Sequence, residues 1–296
     1  MKKRLVHIVL AVFVFCAFCL VAFGWESHVL AAPASHDPSA LRVSFIDVGK
    51  GDCILAQAGD TSVLIDAGYE KTAADVLAYL KDQGVEQLDA MVLTHYDRDH
   101  VGGVAKMGRG VDVETIYLPE YVGADENYTS CMTAVRELGV PTKLVKKELS
   151  IDVGGARLTI LPSGVDYEPG DDGDEGNDND ASLVVTLVNG RDSYLFAGDL
   201  EEDGIDAFLE EDHDQYDVLK MAHHGRRSKN TAKLLESVQP QIAVITDSKK
   251  DPADKKTLKL LEQSDVEVYR TSVDGTVTID SKGDGTYEVT MAENQD

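Results

Sequence analysis

The 296-residue chain reads as an α/β protein in which two β-sheets are sandwiched between outer helices. Three observations carry that reading. Strand-length apolar or alternating runs recur in both halves of the chain, and helical runs are interleaved with them. Several of the strand runs also stop abruptly at glycine or aspartate. With 43% hydrophobic residues, the chain can build one large core or two tightly joined halves.

Residues 41–46 alternate as a half-buried strand does, and Asp47-Val48-Gly49-Lys50-Gly51-Asp52 supplies a tight turn. Residues 53–55 and 62–65 predict two further strands, the second closed by Asp66-Ala67-Gly68. Ala74, Val76, Leu77 and Leu80 fall at helical spacing within 71–83, and Gly84 ends that helix. Residues 90–93 lack polar alternation, as expected of a strand covered on both faces. In the second half, strands are expected at 157–161, 182–188, 193–197 and 243–246, and helices at 201–210, 228–238 and 255–262. Residues 266–269 and 276–279 read as closing strands. The segment 166–180 is acidic and glycine-rich, which predicts a solvated loop; the ligand spacing of an EF-hand calcium loop is absent from it.

The N-terminus has the pattern of an export segment. Lys2, Lys3 and Arg4 precede sixteen uninterrupted apolar residues, Ile8 to Phe23. Val29-Leu30-Ala31 or Ala32-Pro33-Ala34 could end at a signal-peptidase site. The apolar run is long for a signal and shorter than the ~20 residues of a spanning helix. Residues 1–34 are therefore expected to be a signal peptide or an N-terminal membrane anchor, with the rest of the chain extracytoplasmic, secreted or anchored. Any membrane contact is expected only through that segment, if uncleaved. Cys53 and Cys131 could pair in an oxidising compartment or serve as small buried hydrophobes.

The formal net charge is −25; residues 1–34 contribute +2, which leaves −27 on the remainder. Such a field repels polyanions and opposes tight non-specific nucleic-acid binding, which depends on phosphate neutralisation.

Three strand ends carry chemistry. Thr94-His95-Tyr96-Asp97-Arg98-Asp99-His100-Val101-Gly102-Gly103 follows the apolar run at 90–93. Alternation of His95, Asp97 and Asp99 places three ligand-type side chains on one side of an extended segment, with His100 at the turn into a helix starting at the glycines. Four such residues within six positions can chelate two cations, whereas a chance polar loop would not concentrate them behind a buried strand. Asp199 follows the run ending Phe196-Ala197-Gly198, and could bridge two ions or cap the helix near Glu201. His223-His224 follows Leu219-Lys220-Met221-Ala222, and by itself could equally be a solvated pair.

Together, FIDVGKGDCIL, LIDAG, THYDRDHVGG, NDASLVVTL, LFAGDLEEDG and LKMAHHG resemble the metallo-β-lactamase superfamily. More narrowly they are similar to the ComEC-like group, the hydrolase domain of competence channel proteins and its stand-alone relatives. The resemblance covers about residues 41–280, and implies a four-layer αββα sandwich with a hydrolase domain over 41–290. It implies two divalent metal ions, zinc or manganese, with His95 and Asp97 on the first, Asp99, His100 and His223 on the second, and Asp199 bridging. Asn179 is implied beside the first ion. Asp47, Asp52 and Asp66 are implied near the site, orienting ligands or loops, and His224 and Ser228 facing substrate. Asp99 and His224 are the expected catalytic side chains. Lys50, Arg226, Asp251-Pro252 and Thr271-Ser272 depart from the group's usual residues and alter the substrate-facing edge.

Two divalent ions against Asp97, Asp99 and Asp199 leave about one net positive charge. Such a centre would make hydroxide available near neutral pH and stabilise an anionic transition state. The aspartate-rich first site shifts preference towards harder ions such as manganese. Lys220, Arg226, Arg227, Lys229, Lys249 and Lys250 could focus an anionic small-molecule or nucleic-acid substrate, or could simply be solvated charges. The expected function is an extracytoplasmic metal-dependent hydrolase acting on phosphodiesters. The alternatives are the same centre acting on a carboxylic ester, lactone, amide or cell-envelope phosphoester, and a non-catalytic binding module. No protein partner is inferable.

Overall fold

In the computed structural model, which describes residues 40–170, 176–211 and 213–292, the strand-length runs pair into two large sheets. β1 (Leu41–Phe45), β2 (Ile54–Ala58) and β3 (Thr61–Ile65) form an antiparallel meander, followed by α1 (Ala73–Asp82), β4 (Gln87–Leu88) and β5 (Ala90–Val92). Next come α2 (Arg98–Val101), α3 (Val104–Gly110), β6 (Asp112–Val113), β7 (Ile116–Pro119), α4 (Glu126–Leu138) and β8 (Thr142–Val145). The second half begins with antiparallel β9 (Leu149–Val153), β10 (Ala156–Leu161), β11 (Val184–Asn189) and β12 (Asp192–Phe196). It continues through α5 (Glu202–Glu210), β13 (Val218–Lys220), α6 (Thr231–Val238), β14 (Ile242–Ile245), α7 (Lys255–Gln263) and β15 (Glu267–Arg270). The short α8 (Thr271–Asp274) and the hairpin of β16 (Val277–Ser281) and β17 (Tyr287–Met291) complete the described chain.

One sheet has the order β17-β16-β1-β2-β3-β5-β7-β8 and the other β15-β14-β13-β12-β11-β10-β9. Alternation along the strands decides the layers. Val43, Phe45, Ile54 and Ile65 of the first sheet meet Leu158, Val185, Tyr194 and Phe196 of the second in the central core. On the outer face of the first sheet, Leu55, Leu64 and Met91 pack on Val76, Leu80, Val104 and Met107 of α1 and α3. On the outer face of the second, Leu195, Leu219 and Ala243 pack on Ile205, Leu234 and Leu261 of α5, α6 and α7. Each fully buried Leu, Ile, Val or Phe contributes about 1.5–3 kcal/mol, so both faces of each sheet must be covered. The result is the αββα order.

The parallel part of each sheet positions the site. β3 and β5 run parallel in the first sheet, and β12, β13 and β14 in the second. Their C-terminal ends, where an open α/β sheet presents its loops to ligands, lead into Asp66, His95, Asp199, His223 and Thr246.

Several expectations are corrected. The helix after His95 begins at Arg98, not at the glycine pair, so the extended alternation stops at Asp97, and Asp99 and His100 are helical. The acidic segment is not solvated throughout: Asp178 and Asp180 are buried, and Asp180 Oδ1 accepts hydrogen bonds from the Glu201 and Gly204 amides, both at 2.8 Å. Residues 171–175 of that segment, and the signal or anchor expected at 1–34, lie outside the described residues. Cys53 and Cys131 are buried free thiols. Among the described residues, no helix is long and apolar enough to cross a membrane.

Candidate metal centre

Buried histidines and carboxylates converge where the parallel strands end. His100 Nε2 lies 3.3 Å from His224 Nε2 and 3.3 Å from Asp199 Oδ1. His224 Nε2 lies 3.0 Å from Asp199 Oδ2 and 3.5 Å from Asp99 Oδ2. The His95 ring centroid is 4.0 Å from that of His100, and its Nε2 is 3.7 Å from Asp97 Oδ2. His95, His100, Asp199 and His224 are each 3% exposed or less.

Hydrogen bonds on the far side of each ring set its tautomer. The Thr94 hydroxyl donates to Asp66 Oδ2 at 2.8 Å, so it accepts from His95 Nδ1 at 3.0 Å. His100 Nδ1 donates directly to Asp66 Oδ2 at 2.8 Å. The Thr246 hydroxyl donates to Asp52 Oδ1 at 2.6 Å and accepts from His224 Nδ1 at 3.0 Å. In the neutral form of each ring the proton is therefore on Nδ1, and the Nε2 lone pair points into the cluster. This carboxylate–histidine arrangement suits a metal ligand. Asp52 and Asp66 thus hydrogen-bond to ring nitrogens of the cluster, directly or through a threonine hydroxyl. Thr94 and Thr246 act as relays that motif spacing did not single out.

Backbone strain aims the histidine pair. His223 and His224 both adopt left-handed conformations, at φ 46° and 52°, which side chains other than glycine adopt at a cost of about 1–2 kcal/mol each. The turn sends the neighbouring rings in different directions. It is His224, not His223, whose Nε2 joins His100 and Asp199. His223 Nε2 stands 3.8 Å from Asp199 Oδ2, and its Nδ1 is held by Glu201 Oε1 at 2.9 Å. Asp199 is free to face the cluster because Asp180, rather than Asp199, caps α5.

Lys220 departs most from the sequence reading. It is 1% exposed, not a surface charge: its ammonium pairs with Asp52 Oδ2, lies 3.2 Å from Asp199 Oδ1 and donates to the Gly198 carbonyl at 2.8 Å. Burial disfavours its charge, but Asp52 and Asp199 outweigh burial and raise its pKa. The same competition raises His224 to about 10 and His100 well above its ordinary value: burial opposes the proton, and Asp199 leads the carboxylates that favour it. Burial likewise penalises the Asp199 carboxylate, yet His224, His100 and Lys220 hold it well below the usual range.

An open cleft of about 520 Å³ lies over the cluster, lined by Lys50, Asp97, Arg98, Asn179, His223 and Arg226 among others. Lys50 Nζ is 3.4 Å from Asp99 Oδ2. The cations lining the cleft are thus Lys50, Arg98 and Arg226; the Lys229 ammonium pairs with Glu202 instead, and the Arg227 backbone amide donates to Asp254. Asp47 is exposed and accepts the Gly49 amide, which makes it a turn residue. Ser228 accepts the Asn230 amide in the turn before α6. Neither lines the cleft.

The donor set fits divalent cations. His95 Nε2, Asp97 Oδ1 and Asn179 Oδ1 are buried with no hydrogen-bond partner, and an unsatisfied buried polar group costs about 1–3 kcal/mol. Ligand atoms of Asp52, His100, Asp199 and His224 all lie within 4.8 Å of one another. Five carboxylates, Asp52, Asp66, Asp97, Asp99 and Asp199, share this region with two lysines, Lys220 and Lys50, which leaves a negative excess beside neutral histidines for bound cations to offset.

A sequence profile described as Metallo-beta-lactamase superfamily matches residues 46–245. The chain is 27% identical over 271 residues to ComE operon protein 3 of Bacillus subtilis (strain 168), a match covering 84% of this chain and 34% of that protein. It is 26% identical over 217 residues to Recombination protein 2 of Haemophilus influenzae, covering 71% of this chain and 25% of that protein. The chain thus spans only about a third and a quarter of the length of these relatives. Among solved structures it resembles the metallo-beta-lactamase fold protein YhfI from Bacillus subtilis, with a TM-score of 0.53 and 13% identity, covering 82% of this chain and 100% of that one. The last is a likeness of fold.

Proposed function

The chain belongs to the metallo-beta-lactamase superfamily, whose members are generally metal-dependent hydrolases, and on that premise we propose an extracytoplasmic hydrolase with a two-ion centre that cleaves phosphodiesters. The observation that carries the reading is the shared orientation of His95, His100 and His224. Each has Nδ1 fixed by a threonine or carboxylate and Nε2 directed inward. His95, Asp97 and Asn179 would hold one ion, and Asp99, His100 and His224 the other, with Asp199 between them. When bound, zinc or manganese would supply Lewis acidity and make a water nucleophilic near neutral pH.

The chain's own residues do the rest. Asp99 accepts hydrogen bonds and can orient the attacking water. His223, held through Nδ1 on Glu201 at the cleft, turns Nε2 towards the site, where it can accept a proton from the attacking water and, once it carries both protons, donate one to a leaving-group oxygen. Lys50, Arg98 and Arg226 give the cleft local positive charge in a chain of net −25, which supports an anionic substrate. With five carboxylates and the two lysines Lys50 and Lys220 around it, a two-ion centre would carry about one net positive charge. The similarity to ComE operon protein 3, a relative matched over only part of its length, supports a competence-related role at the cell envelope.

Purified protein supplied with Mn²⁺ or Zn²⁺ should hydrolyse bis(p-nitrophenyl) phosphate and cleave single-stranded or duplex DNA, and Asp199→Ala should not. If neither substrate is turned over, or if Asp199→Ala matches wild type, the phosphodiesterase reading fails. The acidic surface favours a second reading, in which a small ester, lactone, amide or envelope phosphoester is the substrate. A panel of such esters distinguishes the two, because robust DNA cleavage excludes the second.

A further inference from the structure

Lys220 is a buried cation that the hydrolytic reading does not require. It ends β13, and its three N–H donors are taken up by Asp52 Oδ2, Asp199 Oδ1 at 3.2 Å and the Gly198 carbonyl at 2.8 Å. Asp52 meanwhile stands close to the metal-ligand atoms: one of its atoms lies within 4.8 Å of ligand atoms of His100, Asp199 and His224. Its nearest approaches to the rings are to Nδ1, at 4.0 Å for His100 and 3.5 Å for His224, so as held it stands beside the Nε2 cluster rather than in it. Its oxygens are already engaged, Oδ2 by the ammonium and Oδ1 by the Thr246 hydroxyl at 2.6 Å. The backbone adds no freedom, since the Asp52 amide donates to the Asp99 carbonyl at 3.1 Å and its carbonyl accepts the Gly68 amide at 2.9 Å.

We propose that Lys220 is a positioning residue that withholds Asp52 from the metal-binding set, so that Asp52 orients His224 through Thr246 instead of coordinating an ion. The inference rests on the metal-centre reading above and is independent of the substrate. An ammonium is a fixed single positive charge that carries three hydrogen bonds and no coordination chemistry. Placed between Asp52 and Asp199, it occupies oxygen atoms that would otherwise attract a hard cation. Removing it would release an oxygen donor beside His100 and His224, and added carboxylate ligation shifts a site towards manganese and a higher coordination number.

The test uses the full chain as wild type, Lys220→Met, Asp52→Asn and the double variant, each loaded with Co²⁺, Zn²⁺ or Mn²⁺. Lys220→Met is expected to weaken the visible Co²⁺ absorption, as coordination number rises, and to raise Mn²⁺ affinity relative to Zn²⁺ by about tenfold, within the range of other changes beside metal ligands. The double variant should return the wild-type spectrum, because Asp52 then has no carboxylate to offer. A merely structural lysine would lower the melting temperature of Lys220→Met and leave its Co²⁺ spectrum and Mn²⁺/Zn²⁺ ratio unchanged; that result overturns the inference. Should Lys220→Met fail to fold, Lys220→Gln, which keeps a donor without the charge, carries the same comparison. Wild type that binds no Co²⁺ would overturn the metal centre itself, an outcome distinct from an unchanged spectrum in the variant.

Discussion

Nε2 of His224 lies 3.0 Å from Oδ2 of Asp199, whereas His223 reaches the same oxygen only at 3.8 Å and spends its other nitrogen on Glu201. Neighbours in sequence are thus divided between the buried cluster and the cleft. His224→Ala should lose about one bound ion per chain and lower turnover by more than the ~10–100-fold typical of groups that merely orient ligands. His223→Ala should keep its metal content and lose turnover alone. Elemental analysis beside steady-state kinetics checks both, and equal metal loss in the two variants contradicts the division.

The threonine relays predict a finer effect. Thr246→Val preserves shape but removes the hydroxyl between His224 Nδ1 and Asp52. Metal affinity should fall ~10–100-fold, and Thr246→Ser should restore it. Competition with a chromophoric chelator measures the change.

Without metal, His224 holds its proton up to about 10, because Asp199 and its neighbours outweigh burial. A histidine raised above its unfolded value of about 6.5 stabilises the fold fully below that value, and the contribution is lost as pH rises towards the folded one. The melting temperature of chelator-treated protein should therefore fall across that window. Metal binding displaces the proton, so its affinity should rise over the same window, and the loaded protein should be protected there. Melts in chelator and in excess Zn²⁺ test the sign; a metal-free melting temperature that climbs through the window contradicts it.

Gly103 joins α2 to α3 where a Cβ would sit 2.1 Å from the Ala67 carbonyl. The Ala67 amide in turn donates to the His100 carbonyl at 2.7 Å. Gly103→Ala should cost about 1–3 kcal/mol by overpacking and weaken metal binding through His100. Thermal denaturation and chelator competition check the two effects together.

Much of this was legible in the chain because strand ends and ligand types are local properties. Residues 90–93 followed by His95 to His100, and 193–197 followed by Asp199, each pair a buried strand with the loop that must leave it. Which of His223 and His224 stands against His100 and Asp199 was not legible, since it depends on two successive left-handed residues that periodicity does not encode. Lys220 was misplaced for a similar reason. A lysine beside two histidines reads as a surface charge until Asp52, far away in sequence, is brought against it by the pairing of the sheets' loops. Helix α4 carries local signals at both ends: Asp125 accepts the Tyr128 amide at 2.8 Å, and Gly139 closes the helix at φ 66°. The acidic end of the 166–180 segment misled because Asp180 is buried as a cap, satisfied by two amides rather than by water.

The central claim is that histidines and aspartates from separate strand ends grip a pair of cations. Elemental analysis of purified protein after loading and desalting tests it most directly, on wild type and His95→Ala side by side. Two ions per chain in wild type and about one in His95→Ala is the expected result. Fewer than one ion in wild type, after exposure to both Zn²⁺ and Mn²⁺, would contradict it.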